Sequence, residues 1–228
     1  MGDMAEIATA TTVAVTLGAI LTAAFLLARE RATTTLLPWP PPRSAVAIWL
    51  VVAIPSLVQI PFPAVLRALE RDRALLHDGH WWRILTSGLV QDGGLIGTAI
   101  NLSVLALVLP MAIAVWGVWR TVFLLFVSQL IVGLTMASLY PSNGAGNSGA
   151  TLALAASVVG LVIMSTPRNR EMTISWAVLV AGAALVLVGD IHGFGVLTGA
   201  LMGAAVATVI PPVTHDRRSP EDTRSVQI

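Results

Sequence analysis

The chain contains no cysteine and no lysine. Without cysteine it can build no disulfide, no thiolate metal site and no cysteine nucleophile. Without lysine a serine–lysine dyad is ruled out, and every basic residue is an arginine. Charge of either sign is scarce: 11% of residues are charged and 56% are hydrophobic. A soluble domain usually has about 25% charged residues, so the surplus apolar surface calls for lipid. The formal net charge of +1 gives no basic face or tail of the kind that binds nucleic acid. No His-Glu-x-x-His string is present and no pair of aspartates lies inside an apolar stretch, which removes zinc and aspartyl protease chemistry. No repeat, inverted or at fixed period, is evident.

What the chain does have is a succession of long apolar runs. A helix needs roughly 20 apolar residues to cross a bilayer core. Seven charge-free stretches come near that length, at residues 7–28, 44–60, 94–116, 121–138, 148–165, 172–189 and 191–211. The first is not a secretory leader, because Asp3 and Glu6 precede it and Arg29 and Arg31 follow it. The expected fold is therefore an all-α polytopic membrane protein. Its parts are an N-terminal transmembrane helix (1–31), a Pro-rich linker (32–43), a six-helix membrane domain (44–211) and a polar tail (212–228). In the linker, Pro38-Trp39-Pro40-Pro41-Pro42 predicts a stiff extended spacer, which makes the first helix an appendage. Residues 61–93 form the one other long connection.

Basic residues are retained on the cytoplasmic side. Alternation then puts nine of the 13 arginines inside: Arg29, Arg31, Arg43, Arg120, Arg168, Arg170, Arg217, Arg218 and Arg224. The remaining four, Arg67, Arg71, Arg73 and Arg83, lie in the long external connection. This predicts an integral protein of the cell membrane with its N-terminus outside and its tail in the cytoplasm. The 140–147 and 189–192 turns share the external side.

Ionisable residues at membrane depth are expensive and mark functional sites. Here they are few. His192 opens the last apolar segment, and Ser148 opens the fifth within Gly146-Asn147-Ser148-Gly149. A serine with a histidine is the minimum set for nucleophilic acyl transfer. Gly195, Gly199 and Gly203 recur every fourth residue on the face that carries His192, and Gly149, Ala155 and Ala156 offer small side chains opposite. Such faces let two helix backbones nearly touch. At a helix start the Ser148 backbone N–H has no intrahelical partner and can donate to an oxyanion.

Gly146-Asn147-Ser148-Gly149, followed by His192-x-x-Gly195-x-x-x-Gly199, resembles the rhomboid intramembrane serine proteases over residues 44–211. Trp82-Arg83 is similar to a motif in that family's membrane-lying loop, and Asn101 matches its oxyanion asparagine. The resemblance implies a six-helix bundle, here with an extra N-terminal helix, in which Ser148 and His192 form a dyad. It implies an endopeptidase that cleaves transmembrane segments of other membrane proteins near the external surface, with no cofactor and no metal. Three positions depart from the family pattern. Gly97 stands where a histidine precedes the asparagine by four, Gln91 replaces a second histidine, and Leu152 replaces an aromatic residue.

The departures define an alternative: a catalytically weak or inactive rhomboid-like protein that binds transmembrane clients. A small transporter ranks last, since the helices lack internal charges. Asp190 reads as an N-cap rather than a third catalytic residue, and His77, Asp78 and His80 as a solvated cluster rather than a metal site.

Overall fold

The computed structural model describes residues 2–140 and 143–212. The tail with Arg217, Arg218 and Arg224 lies outside the described residues, as do Pro141 and Ser142 of the external turn. The described chain is all-α. In order the helices are α1 (Gly2–Arg31), α2 (Arg43–Val58), α3 (Pro63–Leu69), α4 (Arg73–His77), α5 (Arg83–Thr86), α6 (Gly94–Leu139), α7 (Ser148–Met164), α8 (Asn169–Leu187) and α9 (His192–Val209). A single 3-10 turn, Ser87–Leu89, follows α5. Among the described residues the only β-type pairing is an isolated antiparallel bridge between Arg71 and Gly144.

Four helices are long and apolar enough to cross a membrane, within Ala8–Arg31, Gly94–Leu139, Asn169–Leu187 and His192–Val209, while Arg43–Val58 and Ser148–Met164 are apolar but shorter. Leu95, Ile96, Trp119, Trp176, Val180 and Leu201 are each more than half exposed on their outer faces. An outer surface of that kind belongs in hydrocarbon, so the chain is a helical membrane protein.

At 46 residues α6 is far longer than a bilayer requires. Its backbone breaks at Gly117, with φ 75° and ψ 170°, a conformation that suits glycine. The break leaves two lengths of roughly 23 residues, about 34 Å each. They contain the 94–116 and 121–138 segments, joined without a loop. The Ala114 carbonyl next to the break accepts from both the backbone N–H and the hydroxyl of Thr33, each at 3.1 Å.

That contact belongs to a wider docking of α1. Ile20, Ala24, Leu27 and Ala28, spaced along one helical face, are all buried in the main core. Arg31 also pairs with Glu171 at the start of α8, 3.0 Å away. The N-terminal helix is thus packed against the body and is no appendage. The 61–93 connection likewise has more structure than a loop, folding into α3, α4, α5 and the 3-10 turn.

Helix α7 is the hub: every residue from Gly149 to Val162 is buried. It can be central because its side chains are small or apolar and none is ionisable. Helix α9 lies directly along it. A Cβ added to Gly199 would overlap the Ala153 carbonyl, one on Gly203 would overlap the Ser157 carbonyl, and one on Gly160 would overlap the Ala200 carbonyl. The predicted glycine face does seat α9 on α7, but the residues directly opposite Gly195, Gly199 and Gly203 are Gly149, Ala153 and Ser157, not the expected Ala155 and Ala156. Trp116 of α6 closes the same region by donating its indole N–H to Ser157 Oγ at 2.9 Å.

Candidate active site

Because α7 and α9 run in contact and both begin at the same end, their first residues meet. His192 Nε2 lies 3.1 Å from Ser148 Oγ. Both side chains are partly exposed. On the other side of the ring, Nδ1 lies 2.8 Å from Asp190 Oδ1, and the same oxygen accepts the His192 backbone N–H at 2.9 Å. The N-cap position of α9 is Ile191, so Asp190 caps the helix from one residue earlier and holds the ring as well. The cap is the role expected of Asp190 from its position; the bond to the ring is additional.

The helix start that carries Ser148 is left open. Asn147 occupies its N-cap without making a side-chain cap hydrogen bond. Its amide turns inward, accepting from Gln91 Nε2 at 2.8 Å and donating to Thr151 Oγ1 at 2.9 Å. The first N–H groups of α7, including that of Ser148, therefore have no side-chain cap.

Gln91, noted in the sequence only as a replaced histidine, is the centre of a buried amide network. It is 1% exposed. Its side-chain oxygen accepts from Asn101 Nδ2 at 2.7 Å, and its nitrogen also reaches Ser56 Oγ at 3.3 Å. Its backbone is clamped in both directions by the Gln59 amide, at 3.0 Å and 2.7 Å. Asn101 spends one N–H on Gln91 and retains a second for another acceptor. Gly146, with φ +152°, sits where a Cβ would meet Gln91 Oε1 at 3.5 Å, Asn101 Nδ2 at 3.8 Å and Ser148 Oγ at 3.9 Å. Having glycine there leaves space bordered by all three groups. A Cβ on Gly97, one turn before Asn101, would meet nothing within 4 Å.

The segment leading to Ser148 is braced by the long connection. Gly144 and Arg71 exchange backbone hydrogen bonds at 2.9 Å and 3.1 Å, Gly146 N–H donates to the Ser87 carbonyl at 2.9 Å, and Ala145 N–H donates to Asp92 Oδ2 at 2.8 Å. Burial pushes the Arg71 guanidinium below its ordinary range, and the nearby Asp92 carboxylate opposes that shift. The side-chain partners of Trp82 and Arg83 lie within the long connection itself. Buried Arg83 donates to the Arg67 and Glu70 carbonyls at 3.1 Å and 2.8 Å, closing the end of α3. Trp82 is half-exposed and stands edge-on to His80 at 4.6 Å. Among the described residues, no three His, Cys, Asp or Glu side chains gather as a metal-binding set. Leu152 is a buried core residue one turn into α7.

The site thus combines a hydroxyl hydrogen-bonded to an imidazole, an uncapped helix start and an amide with a spare N–H, all at one end of an apolar body. No protein-family model matches the chain, and no curated protein matches it.

Proposed function

We propose that the protein is an intramembrane serine endopeptidase of the rhomboid type, its six-helix body formed by residues 44–211 with α1 added at the N-terminus. The observation that carries this reading is the 3.1 Å contact between Ser148 Oγ and His192 Nε2 in a body otherwise poor in ionisable groups. The substrates are transmembrane segments of other membrane proteins, and the bilayer is the medium in which they arrive. The chain lies in the cell membrane, with the N-terminus and the Ser148 end outside and the tail in the cytoplasm.

In this mechanism Ser148 Oγ attacks the scissile carbonyl carbon and its proton passes to His192 Nε2. The tetrahedral oxyanion is held by the Ser148 backbone N–H and the spare N–H of Asn101. As the C–N bond breaks, the proton returns from Nε2 to the leaving amine. Water, deprotonated by the same nitrogen, then hydrolyses the acyl-enzyme and restores Ser148. No cofactor or metal enters the cycle.

Reconstitution in proteoliposomes with a transmembrane substrate tests the proposal. Cleavage by the wild type that disappears in both Ser148→Ala and His192→Ala is expected; equal cleavage by Ser148→Ala removes the reading. The open space at Gly97 favours one alternative, a weak or inactive relative that holds transmembrane clients without cutting them. Client co-purification from a folded protein with no cleavage distinguishes it.

A further inference from the structure

We infer that Asp190 acts as a positioning residue for His192, so that the reaction centre is a three-membered Ser148–His192–Asp190 chain. This rests on the protease reading above and extends it. One carboxylate oxygen, Asp190 Oδ1, lies 2.8 Å from the ring Nδ1 and 2.9 Å from the backbone N–H of the same histidine. Such closeness at Nδ1 requires a proton between the two atoms, because two facing lone pairs would repel. Nδ1 therefore carries the hydrogen, and in the neutral ring Nε2 presents its lone pair. That lone pair faces Ser148 Oγ at 3.1 Å, the direction a general base needs.

Asp190 has a second task once the serine proton has moved. The ring then holds hydrogens on both nitrogens, and the carboxylate beside Nδ1 stabilises the positive charge while remaining ionised itself. When the proton leaves Nε2 for the departing amine, the starting tautomer is restored. No other ionisable group on the helices packed against α9 bonds to the His192 ring. Helix α7 has none, α9 has only His192, and the charged residues of α8, Arg170 and Glu171, lie at its opposite end. Arg120 of α6 donates to the Ile210 and Pro211 carbonyls, at the far end of α9. Tyr140, after α6, meets Phe194 edge-on and has no hydrogen bond to the His192 ring.

The test compares Asp190→Asn and Asp190→Glu with the wild type and Ser148→Ala, using cleavage of a transmembrane substrate in proteoliposomes together with thermal unfolding. The amide oxygen of Asn can still accept the His192 backbone N–H, so the fold and its Tm should hold. Its N–H can turn toward Nδ1 and select the wrong tautomer, and its charge is gone. Loss of a fully buried triad aspartate costs about 10⁴-fold. Asp190 and His192 side chains are 20% and 24% exposed, so a smaller loss, on the order of a hundredfold, is expected here. Asp190→Glu should recover part of the rate. An Asn variant with the wild-type rate overturns the inference, as does a loss that Glu shares and that tracks a lowered Tm. If Ser148→Ala is inactive while Asp190→Asn is unimpaired, only this inference falls. If Ser148→Ala cleaves like the wild type, the protease reading falls with it.

Discussion

Gly97→His is the perturbation that bears most directly on how fast this site works. Residues 97 and 101 share one face of α6, a turn apart, so a side chain at 97 stands beside Asn101. Nothing lies within 4 Å of the position a Cβ would take, so the side chain starts from open space. Removing one oxyanion donor costs about 2.7–4 kcal/mol in known enzymes. Adding one in open space recovers less, because ordering a free side chain costs roughly 1 kcal/mol. A net gain of about 2 kcal/mol corresponds to roughly thirtyfold in kcat. Stability should hold or rise slightly, since histidine is a better helix residue than glycine by a few tenths of a kcal/mol. The assay is turnover of a reconstituted transmembrane substrate, with Tm in detergent as the control for folding. A correctly folded variant whose kcat is unchanged or lower would refute the placement of the oxyanion beside Asn101.

Two further substitutions probe the supports of the site. Gly199→Ala places a methyl group against the Ala153 carbonyl and should lower Tm, costing about 1–3 kcal/mol or more, whereas Gly18→Ala, with nothing within 4 Å, should not destabilise; thermal unfolding in detergent separates them. Gln91→Ala strips Asn101 and Asn147 of their shared partner, at about 1–3 kcal/mol for the buried Asn147 amide and less for the part-buried Asn101. It should also slow cleavage about tenfold by releasing Asn101, if the amide is worth about 1.4 kcal/mol in the transition state. Wild-type kinetics in a destabilised Gln91→Ala protein would show that the network is structural only.

The strongest features in the sequence were those set by composition and spacing. Near absence of charge marked the helices, and glycines at every fourth position marked the face that seats α9 on α7. Helix starts at equal depth explain why the Ser148–His192 pairing could be read before any geometry. Features that depend on neighbours distant in the chain were hidden. Helix α1 is apolar all round, so its sequence does not separate the face on Ile20, Ala24, Leu27 and Ala28 from the faces turned outward. Gln91 is unremarkable until Gln59, Asn101 and Asn147 surround it, although four amides in so apolar a chain were a usable signal. Helices α3 to α5 are each seven residues or fewer, too short for periodicity to emerge. Asp190 was legible only in part: an Asp-x-His spacing at a helix start suits both the cap and the ring, and the fold is needed to see one oxygen bonded to both.

Covalent labelling of Ser148 by a fluorophosphonate tests the central claim most directly, because it needs an activated serine and no knowledge of the substrate. With folded, detergent-purified protein and mass spectrometry of the adduct, wild type is predicted to be modified at Ser148, Ser148→Ala to stay unlabelled, and His192→Ala to label far more slowly. A folded wild type that remains unmodified at Ser148, or that labels at the same rate without His192, would contradict the account.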